Sequence, residues 1–264
     1  MTEYDNLIYE VSDRVGHIKL NRPDAANAFN LDLVRELSDA ARRCNEDADV
    51  RAVLISGAGA TFSVGGDLKS VAAHDPSGFP GYLERLAHFL HKAFSTLWQM
   101  NSPVVAAVHG IAAGAGLSLA CACDFVIAAE SAHFTTDYAQ SGMTPYGSPT
   151  FFLPRIVGYR KALELLVMSS VLDSREALNL GIVTRVVPDE QLAIESYKVA
   201  AQLAVGPTMA YGAIKRLLRK SSTTGLDAQM EREHRWIVET CRSHDAREGI
   251  AAFLSKREPK FLGE

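Results

Sequence analysis

The chain has 264 residues, a formal net charge of −4, 47% hydrophobic and 22% charged residues, the make-up of an ordinary globular chain with room for one large core, with or without a helical appendage. There is no basic excess of the kind that marks nucleic-acid binding, and no apolar run reaches the roughly 18 residues of a spanning helix, so neither nucleic acid nor membrane is an expected partner. The polar, mixed-charge opening MTEYDNLIYEVSDR is unlike a signal or transit peptide, and four cysteines in a chain this long do not form a disulfide framework, which points to a cytoplasmic protein.

In chain order, Leu7–Val11 and Val15–Leu20 are β-rich runs around Ser12-Asp13-Arg14 and predict a hairpin. Asn30 predicts the cap of a helix over Leu31–Asn45, with Leu33, Leu37, Ala41 and Cys44 on one face. A short buried strand over Ala52–Ile55 leads into Gly57-Ala58-Gly59-Ala60 and Phe62-Ser63-Val64-Gly65-Gly66-Asp67-Leu68. Phe62 stands where the third glycine of a dinucleotide fingerprint belongs, so that reading fails. Asp75–Gly81 reads as loop and Tyr82–Gln99 as helix, followed by strand Val104–Val108. The stretch HGIAAGAGLSLACACD at 109–124 turns on glycines and runs into a short apolar segment, Leu117–Cys123. Strands are expected at Phe125–Ala129 and Ala132–Thr135, and a shaped loop at Gly142–Pro154. Beyond Tyr159 the chain reads as helices over 159–169, 174–180, 189–205, 207–220, 226–241 and 245–256, interrupted by a strand at 182–187. Strands alternating with helices imply parallel pairing. The change to all-helix divides the chain softly near residue 190, into parts 1–190 and 191–264.

Two glycine-rich turns, Val64–Asp67 and Gly114–Gly116, each follow a strand. If those strands are neighbours, their backbone N–H groups can converge on one oxygen that gains negative charge in a transition state. Plain connections are an equal alternative on spacing alone. Cys121 and Cys123 form a Cys-x-Cys without a second pair, in an apolar segment, so buried thiols rather than a metal site are expected. The near-elbow Gly116-Leu117-Ser118-Leu119-Ala120 lacks its last glycine and any histidine spaced as a base, which argues against a serine hydrolase.

NRPDAANAFN at 21–30, FSVGGDL at 62–68, HGIAAGAGLSLACACD at 109–124 and REGIAAFLSKREPKF at 247–261, in that order, resemble the enoyl-CoA hydratase/isomerase family, the crotonase superfamily. The resemblance implies an α/β fold, a crotonase-like spiral of ββα units with a C-terminal helical trimerisation region. It also implies an acyl-CoA thioester substrate, with coenzyme A as part of that substrate and no separate cofactor or metal. By motif position the oxyanion donors would be the N–H groups of Gly66 and Ala115. Ala115 stands where glycine is common, which narrows the backbone conformations without removing the donor.

The family's hydratases use two glutamates, and alignment of the motifs places Ser118 and Tyr138 in their positions. Hydration needs a base for water and an acid for the α-carbon. Neither residue supplies the base, although a tyrosine can protonate an enolate. Asp137 adjoins Tyr138, but a one-residue offset is expected to turn it away. Tyr146 lies where some relatives keep a catalytic aspartate. Ser118 is expected as a polar orienter and Tyr138 or Tyr146 as proton donor, in lyase, isomerase or decarboxylase-type chemistry. A catalytically silent acyl-CoA binder and a thioester hydrolase are the alternatives. Resemblance places Asp24, Ala25, Ala26, Val64, Asp67 and Leu68 along the coenzyme A, with Asp24 where relatives often carry a base. It places Phe253, Lys256 and Arg257 where they would reach a neighbour's coenzyme A, a lysine suiting a 3′-phosphate. Apolar faces beyond residue 190, including Trp236, Ile237, Ile250 and Phe253, suggest a homotrimer or a dimer of trimers.

Overall fold

The computed structural model describes residues 4–264; Met1–Glu3, part of the polar opening, lie outside the described residues. The strands are β1 (Leu7–Ser12), β2 (Val15–Leu20), β3 (Ala52–Gly57), β4 (Val104–Val108), β5 (Ile111–Ala113), β6 (Phe125–Ala129), β7 (His133–Thr135), β8 (Leu172–Asp173) and β9 (Arg185–Val187). Six form one sheet in the order β1-β2-β3-β4-β6-β9, and β5-β7-β8 form a second. Among the described residues only β1–β2 and β7–β8 pair antiparallel. The hairpin turns on Asp13 and Arg14, with φ of 49° and 65°, the two-residue geometry whose twist suits a hairpin. β4, VVAAV, is buried at every position, as a central parallel strand covered on both faces must be.

The helices are α1 (Leu31–Glu46), α2 (Leu68–Ala72), α3 (Phe79–Gln99), α4 (Ala115–Ala122), α5 (Pro149–Val157), α6 (Tyr159–Met168), α7 (Ser174–Asn179), α8 (Leu192–Ala204), α9 (Thr208–Ser221), α10 (Leu226–Thr240) and α11 (His244–Leu254). Asn30 caps α1 by accepting from Leu33 N at 2.9 Å. α1 packs along α3 and against β1 and β2, while α8 lies on β2, β3, β4 and β6. The soft division near 190 thus leaves in the C-terminal part a helix that covers the sheet. α4 is buried along its whole length, so it has no polar face and sits inside the molecule.

Two expectations for the loops are corrected, and one helix is added. Asp75–Gly81 is no loop: a 3-10 turn spans Pro76–Gly78 and α3 begins at Phe79, because Pro80 is tolerated in a first helical turn, where no N–H is needed. Leu68–Ala72 is a helix capped by Asp67. Gly142–Pro154 is a loop only to Ser148, and α5 runs through Pro154. The interior proline costs about 3 kcal/mol, and burying the large side chains Phe152 and Leu153, at about 1.5–3 kcal/mol each, offsets it.

Buried polar ties hold the C-terminal segments to the core. Arg51, 3% exposed, donates to Thr208 Oγ1 and to the carbonyl of Phe261, each at 3.1 Å. Lys215 on α9 pairs with Asp124 at the end of the 109–124 stretch. Asp245 accepts from the N–H groups of Leu262 and Gly263 at 2.7 and 2.8 Å. α10 buries no residue, and Leu226, Ile237 and Phe253 leave apolar surface in water.

Candidate active site

Three segments are stitched together around Gly66. Val64 N donates to Ala26 O at 3.1 Å, Phe29 N to Gly65 O at 2.7 Å, and Asp67 N to Phe29 O at 3.1 Å. On the other side Ser63 N donates to Ile111 O at 3.1 Å and Ala113 N to Ser63 O at 2.9 Å. Phe29 therefore faces Gly66 as in a parallel ladder. In that pattern the partner's flanking residues make the bonds, and Gly66 directs its own N–H away. Its N–H has no acceptor among the described residues.

The second turn supplies a matching donor. Gly114 has φ 50° and ψ −119°, a conformation that favours glycine. It reverses the chain so that Ala115 opens α4, where an N–H has no intrahelical acceptor. Ala115 is helical and fully buried, so alanine carries no backbone strain there. A methyl carbon on Gly65 (φ +86°) would lie 2.7 Å from Ala113 O and 3.0 Å from Ala115 N. The two turns are in contact, as their glycine content requires.

A cavity of about 70 Å³ opens at Gly66 and Gly114, with Val64, Leu68, Asp137, Tyr138, Met143 and Tyr146 among its walls. A methyl carbon on Gly66 would lie 2.0 Å from Tyr146 Oη, so that hydroxyl rests against the first donor turn. It makes no hydrogen bond among the described residues. Tyr138 is different: its hydroxyl donates to the Tyr146 carbonyl at 2.7 Å and meets Ser118 Oγ at 3.1 Å. Ser118 also lies 3.1 Å from Gly114 O. Ser118 is fully buried and a methyl carbon on Gly147 would lie 3.3 Å from its Cβ; it does not line the cavity. Burial pushes the Tyr146 phenol up to about 12 and the Tyr138 phenol higher still. Both are protonated at neutral pH.

Asp137 was expected to turn away, yet it lines the same cavity. Its φ of 43° displaces it from extended alternation, which spacing alone cannot show, and Thr135 Oγ1 donates to it at 2.7 Å. Sequence reasoning also passed over His91 on α3, whose Nε2 accepts from Gly147 N at 3.0 Å and ties down the Tyr146 loop. A histidine facing a loop from a distant helix leaves no local signal.

Asp67 accepts from Ser70 N and from both terminal nitrogens of Arg22, each at 3.1 Å. Burial alone would raise its carboxyl, but the Ser70 bonds and the Arg22 guanidinium hold it below the ordinary range. Asp24 and Ala25 lie in a 3-10 turn next to Ala26, the segment that Val64 pairs with. Asp24 is exposed. Phe253, 83% exposed, lies in the last turn of α11 and Lys256 just beyond that helix; neither lines the cavity at Gly66. Cys121 is buried, and burial pushes its thiol up to about 12, the behaviour of a small apolar side chain.

The site is thus a pair of free N–H groups at the meeting of two strand-to-helix turns, suited to an oxygen that acquires charge in a reaction. Residues 10–264 match the family model described as enoyl-CoA hydratase/isomerase. The chain belongs to the enoyl-CoA hydratase/isomerase family. It is 35% identical over 259 residues to the 1,2-epoxyphenylacetyl-CoA isomerase of Escherichia coli (strain K12), covering 98% of each chain. It is 36% identical over 260 residues to a probable enoyl-CoA hydratase of Rhodobacter capsulatus, covering 98% of this chain and 99% of that one. The crystal structure of enoyl-CoA hydratase from Bacillus anthracis superposes with a TM-score of 0.92 at 30% identity, covering 98% of this chain and 100% of that one. The crotonase-like fold expected from the motifs is the fold found.

Proposed function

We propose that the protein forms and reprotonates an acyl-CoA enolate in lyase, isomerase or decarboxylase-type chemistry, without two-glutamate hydration. The thioester oxygen lies between the N–H groups of Gly66 and Ala115, which bind it more strongly as it becomes an enolate. Each such donor is worth about 10²–10³ in rate. Tyr146 delivers the proton to carbon. Asp137, the one carboxylate in the cavity wall, takes the proton that leaves. Tyr138 and Ser118 hold the Tyr146 loop, and Ser118 does not line the cavity. The observation that carries this reading is the contrast between the two phenols: Tyr138 has committed its proton to a carbonyl, whereas Tyr146 Oη is unpartnered beside Gly66. Two relatives of nearly equal identity bear names for different reactions, so overall similarity leaves the reaction to the site. In the same proposal, the coenzyme A runs along Asp24–Ala26, Val64 and Leu68. Phe253 and Lys256 reach a neighbour's coenzyme A in a homotrimer or dimer of trimers.

The test is a panel of acyl-CoA thioesters incubated with the protein in D2O and read by mass spectrometry. One or more members gain deuterium at the α-carbon and yield product, and Tyr146→Phe slows both about 100-fold with little change in substrate affinity. Fast hydration of crotonyl-CoA, undiminished in Tyr146→Phe, Tyr138→Phe and Ser118→Ala, would sink the reading. Tight binding of thioesters with no exchange or turnover favours the silent binder, and release of free coenzyme A thiol favours the hydrolase.

A further inference from the structure

The cleft between α3, α5, α9 and α10, of about 690 Å³, is lined by Arg155, Arg216, Arg219, Lys220 and Arg232. Among the described residues no aspartate or glutamate lines it. None of the five cations forms an ion pair among the described residues, although the chain as a whole is acidic at −4. Aromatic rings hold three of the guanidinium groups: Arg216 lies 5.0 Å from the Trp236 centroid, Arg219 4.7 Å from Trp98 and Arg155 3.7 Å from Phe151. A guanidinium stacked on a ring can keep its edge N–H groups available for bidentate contact; Arg155 Nη1 already donates to the Phe151 carbonyl at 2.8 Å. Arg219 Nη2 is buried with no hydrogen-bond partner among the described residues. A buried charged donor without an acceptor is a costly arrangement unless something else occupies the site.

We infer that this cleft is a second binding site, for a small ligand with two linked phosphate groups, either free diphosphate or its ester. Planar, bidentate donors fit phosphate oxygens, and adjacent cations that repel one another are satisfied together by a multiply charged anion. The residues are distinct from those at Gly66 and from the segments assigned to coenzyme A, so the inference stands or falls independently of the proposed reaction.

The chain has two tryptophans, Trp98 and Trp236, and both line this cleft. Tryptophan emission of the native protein therefore reports on it, with Trp98 also lining a neighbouring cavity of about 300 Å³. Pyrophosphate and ADP are titrated separately at low ionic strength, against chloride at matched ionic strength. The expected result is a saturable change with pyrophosphate that weakens as salt is raised. Equal affinity for ADP identifies the diphosphate group as the element recognised, and tighter binding of ADP identifies the ester. Arg216→Gln/Arg232→Gln, both at exposed positions, weakens binding about tenfold or more and leaves kcat/KM for the acyl-CoA substrate unchanged. Should that variant not fold, Lys220→Gln/Arg232→Gln serves in its place. Absence of any saturable change up to about 10 mM pyrophosphate, a Kd too weak to count as a built site, overturns the inference. An unaltered Kd in a folded double variant overturns it equally.

Discussion

The turns at Gly66 and Ala115 and the cleft at Trp98 and Trp236 are both shaped for negative charge, and they use opposite means. The turns offer two neutral N–H groups with no cation among the cavity walls. The cleft offers five formal positive charges with no acid. Neutral, fixed donors gain most when charge appears during a reaction, so they favour a transition state over a substrate. Full charges bind an anion that is already charged and gain nothing from its reacting. Position in the fold agrees with this difference. The turns rest on buried backbone, where geometry is held closely. The cleft rests on long side chains at a helical surface, where affinity tolerates small shifts.

The sharpest way to break this comparison is Gly65→Ala. The left-handed φ of +86° and the 2.7 Å approach to Ala113 O leave no room for a methyl group, and the strain falls on both donor turns at once. We expect kcat/KM for the acyl-CoA substrate to fall about 10²–10³-fold, while the tryptophan response to pyrophosphate stays as in the parent. Loss of both together in a folded variant would mean that the two regions are coupled. Tyr138→Phe has the next largest effect. It removes the donor to the Tyr146 carbonyl and the partner of Ser118, so urea denaturation loses about 1–2 kcal/mol. The loop that carries Tyr146 loosens, and kcat falls about tenfold with KM little changed. A fall as deep as that of Tyr146→Phe would make Tyr138 the proton donor instead.

The fold was legible wherever one pattern agreed with local chemistry. The run VVAAV, the Asn30 cap and the glycine turns each dictate a local structure that packing leaves intact. Pro149 and Pro154 misled in the other direction: loop chemistry is local, whereas the burial of Phe152 and Leu153 that makes α5 is tertiary. At the site, the turn and the helix start that carry Gly66 and Ala115 were legible from their glycines, and the donor role assigned to them rests on the family resemblance. The behaviour of Tyr138 and Tyr146 was not legible. Two phenols eight residues apart look alike in sequence, and only the fold decides which hydroxyl meets a carbonyl and which is left free. Asp137 escaped for a related reason, because a single positive φ moves a side chain from where alternation would put it.

The smallest predicted effect concerns His91, which touches neither donor turn. Gly147 N–H donates to its Nε2, which requires the neutral ring with its proton on Nδ1. Burial first, and the charge of His88 second, hold its pKa below the ordinary 6.5. The folded state thus binds fewer protons here than the unfolded chain does. The bond contributes fully above about pH 6.5 and is lost as pH falls through the depressed value. Protonation turns Nε2 into a second donor facing a donor, and the Tyr146 loop loses its tie to α3. Turnover should therefore show an acid limb below pH 6.5, of a few-fold, with the kcat of the parent recovered on returning to pH 8. In His91→Gln the side-chain carbonyl can accept from Gly147 without titrating. That variant should keep turnover within a few-fold at pH 8 and lose the acid limb. An acid limb that persists unchanged in His91→Gln would assign it to another group.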